Sequence, residues 1–353
     1  MLYASTHRNF RLFACSLLLL LAGLAGCRKD PKIPENGQES GEETGFRIPA
    51  GWPAPHYSFA NNPLQPKVIQ LGKKLFNDPA LSSDGTVSCG TCHQPAGAFS
   101  QTGHVVSHGV AGRLGTRNSP GLFNLAWHTS LMWDGGANNL ETQILIPLQS
   151  HEEMNLTPVE LLTRVSASPD YQKAFLEAYG TPEINLARIL KSIAQFEATL
   201  ISDASKWDRV QRGTAHFTPE EAAGEKIFQN HCAPCHKPPL FTDFTFRSNG
   251  LTPGPANDSG RMRINREAAD RYKFKVPSLR NWAFTAPYFH DGRAATLDAV
   301  LEHYTSGIAT QALPHTDPQL RGGVSLQPWE KEQLKAFLKT INDTAFVQNP
   351  DLR

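Results

Sequence analysis

The most regular apolar pattern lies between residues 186 and 200, where Leu186, Ile189, Leu190, Ile193, Phe196 and Leu200 recur at three- and four-residue spacing. That period predicts an amphipathic helix. A second stripe, Trp329, Leu334, Phe337, Leu338 and Ile341, predicts another near the C-terminus. Thr218 as N-cap, Pro219 as first helical residue and Glu221 in capping-box position predict a third. No stretch alternates convincingly as a strand, so the expected fold is all-α. At the N-terminus the apolar residues are continuous instead of periodic: residues 12–26 form a nearly unbroken run behind His7, Arg8 and Arg11, with no acid before it. This is the pattern of an export signal, and about 15 residues falls short of the roughly 20 that span a membrane. The run ends in Leu24-Ala25-Gly26-Cys27, which reads as a lipobox with a lipid on Cys27; an ordinary signal peptide or a short anchor helix is the alternative. Residues 28–55 are polar and rich in Pro, Gly and Glu, and read as a flexible tether in which Arg28 and Lys29 could meet anionic head groups.

Composition narrows the class. The 34 Lys+Arg and 33 Asp+Glu leave a net charge of +1, which excludes a nucleic-acid binder run on bulk positive charge. A charge-steered partner therefore needs a local patch; Lys206, Arg209 and Arg212 could dock an acidic one, although a solvated helix face explains them equally well. With 40% hydrophobic and 19% charged residues the chain is globular. Its length predicts two domains, here 56–205 and 206–353.

Six cysteines suggest three disulfides until they are placed. Cys15 is lost with the leader and Cys27 takes the lipid. The other four form Cys89-Gly90-Thr91-Cys92-His93 and Cys232-Ala233-Pro234-Cys235-His236. In C-x-x-C-H the two thiols bond the haem vinyl groups from one turn of chain and the histidine becomes the proximal iron ligand. A zinc ribbon would place its two C-x-x-C pairs roughly 15–20 residues apart, and no βαβ pattern supports a thioredoxin-like reading. Two covalent c-type haems, in an oxidising, periplasmic compartment, are the expectation. An internal repeat accompanies them: Gly72-Lys73-Lys74-Leu75-Phe76 precedes the first motif and Gly224-Glu225-Lys226-Ile227-Phe228 the second, each on a helix leading into the haem.

An iron with two strong ligands transfers electrons, whereas one with an open position can act on peroxide. Cleaving peroxide further requires a group that moves a proton between its oxygens. The segment from Trp133 through Gln143 and Pro147 to His151-Glu152-Glu153-Met154 supplies candidates.

Taken together, CGTCH, TRNSP (116–120), MWDGG (132–136), the Gln143-to-Glu153 segment, HCAPCH (231–236), FKVPSLRN (274–281) and APYFHDGRAATL (286–297) resemble the bacterial di-haem cytochrome c peroxidase family, including its methylamine-utilisation branch. The resemblance spans roughly residues 70–305. It implies two cytochrome c-like domains, an N-terminal peroxidatic one and a C-terminal electron-transfer one. It implies Glu153 as acid/base beside the first haem, Gln143 as its hydrogen-bonding companion, Pro147 shaping the same pocket and Trp133 as a bridge between the haems. His108, with His104 as competitor, would be a displaceable ligand to the first iron. Fourteen residues after His290, where some members place a Met, stands Tyr304; the methylamine-utilisation branch has a ligating Tyr there, and His303 or water is the alternative. A phenolate in place of a thioether lowers the iron's potential.

The resemblance also implies a calcium ion between the haems, held by Asn118 and the backbone oxygens of Thr285 and Pro287, and a homodimer. The expected activity is reduction of hydrogen peroxide with electrons from a small cytochrome c or copper protein. Two alternatives stay open: an oxidase modifying a partner protein, and a non-catalytic electron-transfer cytochrome. Against the former, the tryptophan-modifying branch has a Trp two residues before the second motif, where this chain has Asn230.

Overall fold

The computed structural model describes residues 45–254, 256–308 and 314–353. The expected leader, Cys27 and residues 28–44 of the expected tether lie outside the described residues. The helices are α1 (Pro66–Phe76), α2 (Cys89–Cys92), α3 (Leu140–Gln143), α4 (Leu145–Gln149), α5 (Pro158–Ala167), α6 (Pro169–Tyr179), α7 (Leu186–Ala198), α8 (Lys206–Gln211), α9 (Pro219–His231), α10 (Met262–Asn265), α11 (Leu297–Glu302), α12 (Pro328–Lys339) and α13 (Thr344–Gln348). Strand among the described residues is limited to β1 (Phe246–Arg247) paired antiparallel with β2 (Phe274–Lys275).

Two helix crossings organise the chain, and the repeat explains both. A Cβ on Gly72 of α1 would collide with the Ser192 carbonyl of α7, and one on Gly224 of α9 with the Gln333 carbonyl of α12. Only glycine lets backbones approach so closely. At each crossing the aromatic residue four places on is buried against a partner phenylalanine: Phe76 on Phe196 at 5.2 Å between ring centroids, Phe228 on Phe337 at 5.0 Å. The two apolar stripes are thus the second strokes of the same repeat. Around the first crossing lies an apolar cluster running from Phe46 to Leu200, and around the second a smaller one containing Trp207, Phe241, Leu334 and Ile341. The C-terminal α13 returns to the first cluster, where Phe346 packs against Phe99 and Phe123.

The α9 cap is as expected: Thr218 and Glu221 exchange side-chain and backbone hydrogen bonds at 2.7 and 3.2 Å. The helix runs directly into Cys232, whereas α1 ends at Phe76, well before Cys89. Two expectations are corrected. Residues 45–55 of the tether are packed: Phe46 is buried against Phe59 and Trp127, and Trp52 lies edge-on to Trp127, because aromatic surface overrides a polar composition. Trp329 is 60% exposed, since α12 begins at Pro328 and its first turn projects beyond the crossing. The cations offered as a docking patch also have partners within the chain, Lys206 pairing with Glu221 at 2.6 Å while Arg209 and Arg212 stay exposed and donate to the carbonyls of Ala204 and Asp203.

Candidate active site

The first C-x-x-C-H is wound as α2 behind Ser88, with a capping box between Ser88 and Thr91. His93 follows as its C-cap, and Nδ1 lies 2.7 Å from the Phe99 carbonyl. Donation there selects the tautomer with Nε2 free as a ligand. Burial lowers the imidazole's pKa and keeps it neutral, as an iron ligand must be. His236 is held the same way, with Nδ1 at 3.2 Å from the Phe241 carbonyl and 3.1 Å from that of Pro277. Burial pushes the Cys89 and Cys232 thiols up to about 12 and Cys92 to about 11, the behaviour of structural rather than reactive thiols. Two half-buried cysteines, a histidine with one ring nitrogen pinned and its pKa lowered by burial, and apolar neighbours fit a covalent haem at each motif.

Glu153 is placed by a reversal of the chain. After α4 a turn brings the Glu153 amide to the Ser150 carbonyl and the Met154 amide to the Pro147 carbonyl. The loop 107–110 closes on it, the Val110 amide donating to the Glu153 carbonyl at 2.8 Å, while the His108 carbonyl sits 3.8 Å from Cys92 Sγ. The carboxylate is close enough to raise both thiols of the first motif. Burial, and secondarily Glu152, holds its own pKa above the ordinary carboxyl value. Gln143, on α3, is half-buried with Nε2 3.6 Å from Met132 sulfur. Glu153, Pro147 and the first motif therefore share one neighbourhood.

Trp133 is fixed at both ends: its indole N–H donates to the Asn118 carbonyl and its own carbonyl accepts from the Lys275 amide, both at 2.8 Å. The adjoining Asp134 takes Arg117 and Arg263, and Arg117 also grips Asp258, so residues far apart in sequence clamp this turn. The two loop histidines lie together, His104 Nδ1 being 3.4 Å from His108 Nε2. Near the second motif, Tyr304 stands in a π-helical turn, is bonded to Asn249, and is raised to about 12 by burial, with the Cys232 and Cys235 charges contributing. The competing His303 turns its Nε2 to the Asn249 carbonyl at 2.8 Å. Of the calcium candidates, Asn118 spends its amide nitrogen on the His104 and Val105 carbonyls, which leaves its oxygen for a hard cation. The Thr285 and Pro287 carbonyls accept no hydrogen bond among the described residues.

One residue of this region was not singled out from sequence. Glu197, on α7, is 3% exposed, its Oε2 has no partner, and it raises the Cys89 thiol. Burial and then Glu141 lift its carboxyl to about 8. An acid inside an apolar stripe was the available signal. In the unfolded chain it ionises near the ordinary carboxyl pKa of about 4.3, so between there and about 8 the folded state binds the extra proton. Stability then falls with rising pH by up to about 1.4 kcal/mol per unit. Glu197→Gln is expected to flatten that slope in denaturant unfolding of the holoprotein between pH 5 and 8; an unaltered slope would contradict a neutral Glu197.

The family model for di-haem cytochrome c peroxidase matches residues 66–216. The methylamine utilization protein MauG of Methylorubrum extorquens is 36% identical over 315 residues, covering 87% of this chain and 86% of that protein. The cytochrome c551 peroxidase of Nitrosomonas europaea is 36% identical over 261 residues, covering 69% of this chain and 77% of its own. A crystal structure of a MauG-like protein associated with microbial copper homeostasis superimposes with a TM-score of 0.80 at 32% identity, over 87% of this chain and 97% of that one.

Proposed function

The chain belongs to the di-haem cytochrome c peroxidase family, and from that premise we propose that it reduces hydrogen peroxide to water with two electrons delivered singly by a small redox protein. The observation that carries this reading is Glu153, a half-buried carboxyl of raised pKa held against the first C-x-x-C-H motif. Cys89, Cys92 and His93 would hold one haem, and Cys232, Cys235 and His236 the other. When bound, the haems supply the one-electron couples that peroxide reduction consumes. The chain's own residues handle the protons and the geometry. Glu153 accepts a proton from one peroxide oxygen and returns it to the other, so that H2O2, two electrons and two protons become two waters. Gln143 orients the substrate, Pro147 keeps the pocket narrow, and Trp133, pinned at both ends, lies between the two halves as the electron bridge.

His108 would serve as a displaceable iron ligand at the first site and Tyr304 as a ligand at the second, with His303, whose Nε2 meets the Asn249 carbonyl, beside it. Asn118, Thr285 and Pro287 would hold calcium. The cytochrome c-like domains divide at 205/206, and the chain is an exported, lipid-anchored periplasmic protein able to pair as a homodimer. Tyr304 also supports a second reading, an oxidase acting on a partner protein, because it matches the methylamine-utilisation branch.

One experiment separates these readings: half-reduced holoprotein is mixed with peroxide and reduced cytochrome c or copper protein in a stopped-flow instrument. The peroxidase reading expects stoichiometric donor oxidation over many turnovers. Peroxide consumption without donor oxidation would favour the protein-modifying oxidase, and no peroxide consumption a pure electron carrier.

A further inference from the structure

Lys275 is a buried cation without a counter-charge. It is 8% exposed, its ammonium donates to the Ser130 carbonyl at 2.6 Å and lies 3.3 Å from His128 Nδ1, and no carboxylate is within ion-pair distance among the described residues. Asp134, the acid whose charge it feels, is committed to Arg117 and Arg263. Ser130 is 9% exposed and its hydroxyl has no partner. An ammonium carries three donors, so this cluster presents unspent donor capacity from Lys275 and Ser130 at one buried point. Burial lowers Lys275 to about 7 and pushes His128 well below its ordinary value. Buried charges are normally paired, so the cluster is built for an anion that arrives with the finished protein.

The same two segments that seat the second motif also seat this cluster. His236 Nδ1 reaches the carbonyls of Phe241 and Pro277, Thr242 bonds the Val276 carbonyl at 2.6 Å, and the His128 ring packs on Phe244 at 4.7 Å between centroids. A c-type haem bonded to cysteines through its vinyl edge carries two propionates on the opposite edge. We propose that Lys275, with His128 and Ser130, receives a propionate carboxylate of the haem bound at Cys232, Cys235 and His236. This rests on the two-haem reading above. It makes Lys275 a positioning residue that also sets a potential: a fixed positive charge opposes the ferric state and favours reduction. The Lys275 amide bonds the Trp133 carbonyl, so the propionate edge is brought beside the inter-haem bridge.

The test uses holoprotein shown by mass and pyridine haemochrome to carry two haems; fewer in the native protein would defeat the two-haem reading instead of this inference. Midpoint potentials of both haems are resolved by spectroelectrochemical titration. Lys275→Met is expected to lower the second haem's potential by a tenfold loss in its reduction equilibrium, about 59 mV for one electron, with a smaller change at the first. Ser130→Ala, which removes one hydroxyl, moves the same potential the same way by less, and serves as the readout where Lys275→Met fails to load both haems. Unchanged potentials in the two-haem variants, or a shift confined to the His93 haem, would overturn the assignment.

Discussion

Replacing Glu153 with Gln is expected to lower peroxidase kcat/KM by about 10²–10⁴, with both haems still attached and the loss carried by kcat. The amide keeps the size and most of the packing of the side chain but accepts no proton at neutral pH. Peroxide would still enter and would meet no base. The pH profile adds a second readout. Burial and Glu152 raise this carboxyl, so the deprotonated form needed to start the reaction is lost at a higher pH than for an ordinary glutamate. Native activity should fall on the acid side through that raised pKa, and the Gln variant's residual activity should lack the limb. Steady-state donor oxidation across pH 4 to 8 measures both, and full turnover in the variant would remove Glu153 from the mechanism.

The largest expected loss of stability is at Arg280. Its side chain is fully buried, with Nη1 and Nη2 on the two carboxylate oxygens of Asp208 at 2.8 and 2.7 Å, and Nε on the Pro239 carbonyl at 2.7 Å. Its guanidinium lies 4.7 Å from the Trp52 ring, 5.7 Å from Trp207 and 5.5 Å from Phe241. Arg280→Met leaves Asp208 buried and unpaired, which costs about 3–5 kcal/mol. At this chain length that is on the order of 10 °C in Tm. Burial alone would raise the Asp208 carboxyl, and the Arg280 hydrogen bonds and charge reverse this to hold it below its usual value. The pair's stabilisation is therefore present above the ordinary carboxyl pKa and is lost as pH falls through the depressed one, so the variant's deficit shrinks in acid. Scanning calorimetry of the two-haem proteins at pH 7 and pH 3.5 tests this, and a Tm within a degree or two of native at pH 7 would refute it. The double change Arg280→Met with Asp208→Leu should recover part of the loss, because it removes the orphaned charge along with its partner.

Both residues bear on how much was legible beforehand. Glu153 could be marked from its motif, and the structure adds its setting: a turn at Ser150 and a loop from 107–110 that bond its backbone, with burial and then Glu152 raising the carboxyl. Arg280 sits inside FKVPSLRN, a stretch quoted for its resemblance alone. Its partner Asp208 belongs to a helix some seventy residues earlier, where it is buried, unlike the neighbouring cations Lys206, Arg209 and Arg212 that sequence offered as a docking surface. Lys275 stands in the same stretch, and neither its burial nor its neighbours His128 and Ser130 can be read from spacing. Phe46 and Trp52 show the converse error, where a polar window hid two aromatic anchors.

The sequence by itself determined what depends on near neighbours along the chain. C-x-x-C-H is complete within five residues, a cap and its box within four, and an amphipathic stripe repeats every turn, so haem attachment chemistry, the main helices and the repeat were all visible in one dimension. The tertiary structure decided what depends on which distant segments meet. The glycine crossings at Gly72 and Gly224, the engagement of both His303 and Tyr304 with Asn249, and the burial of Glu197 and Lys275 are of this kind. A side chain's charge state and role follow from the solvent it loses and the partners it gains on folding, and those are supplied by residues far away along the chain, as Asp208 is from Arg280 and Ser130 from Lys275.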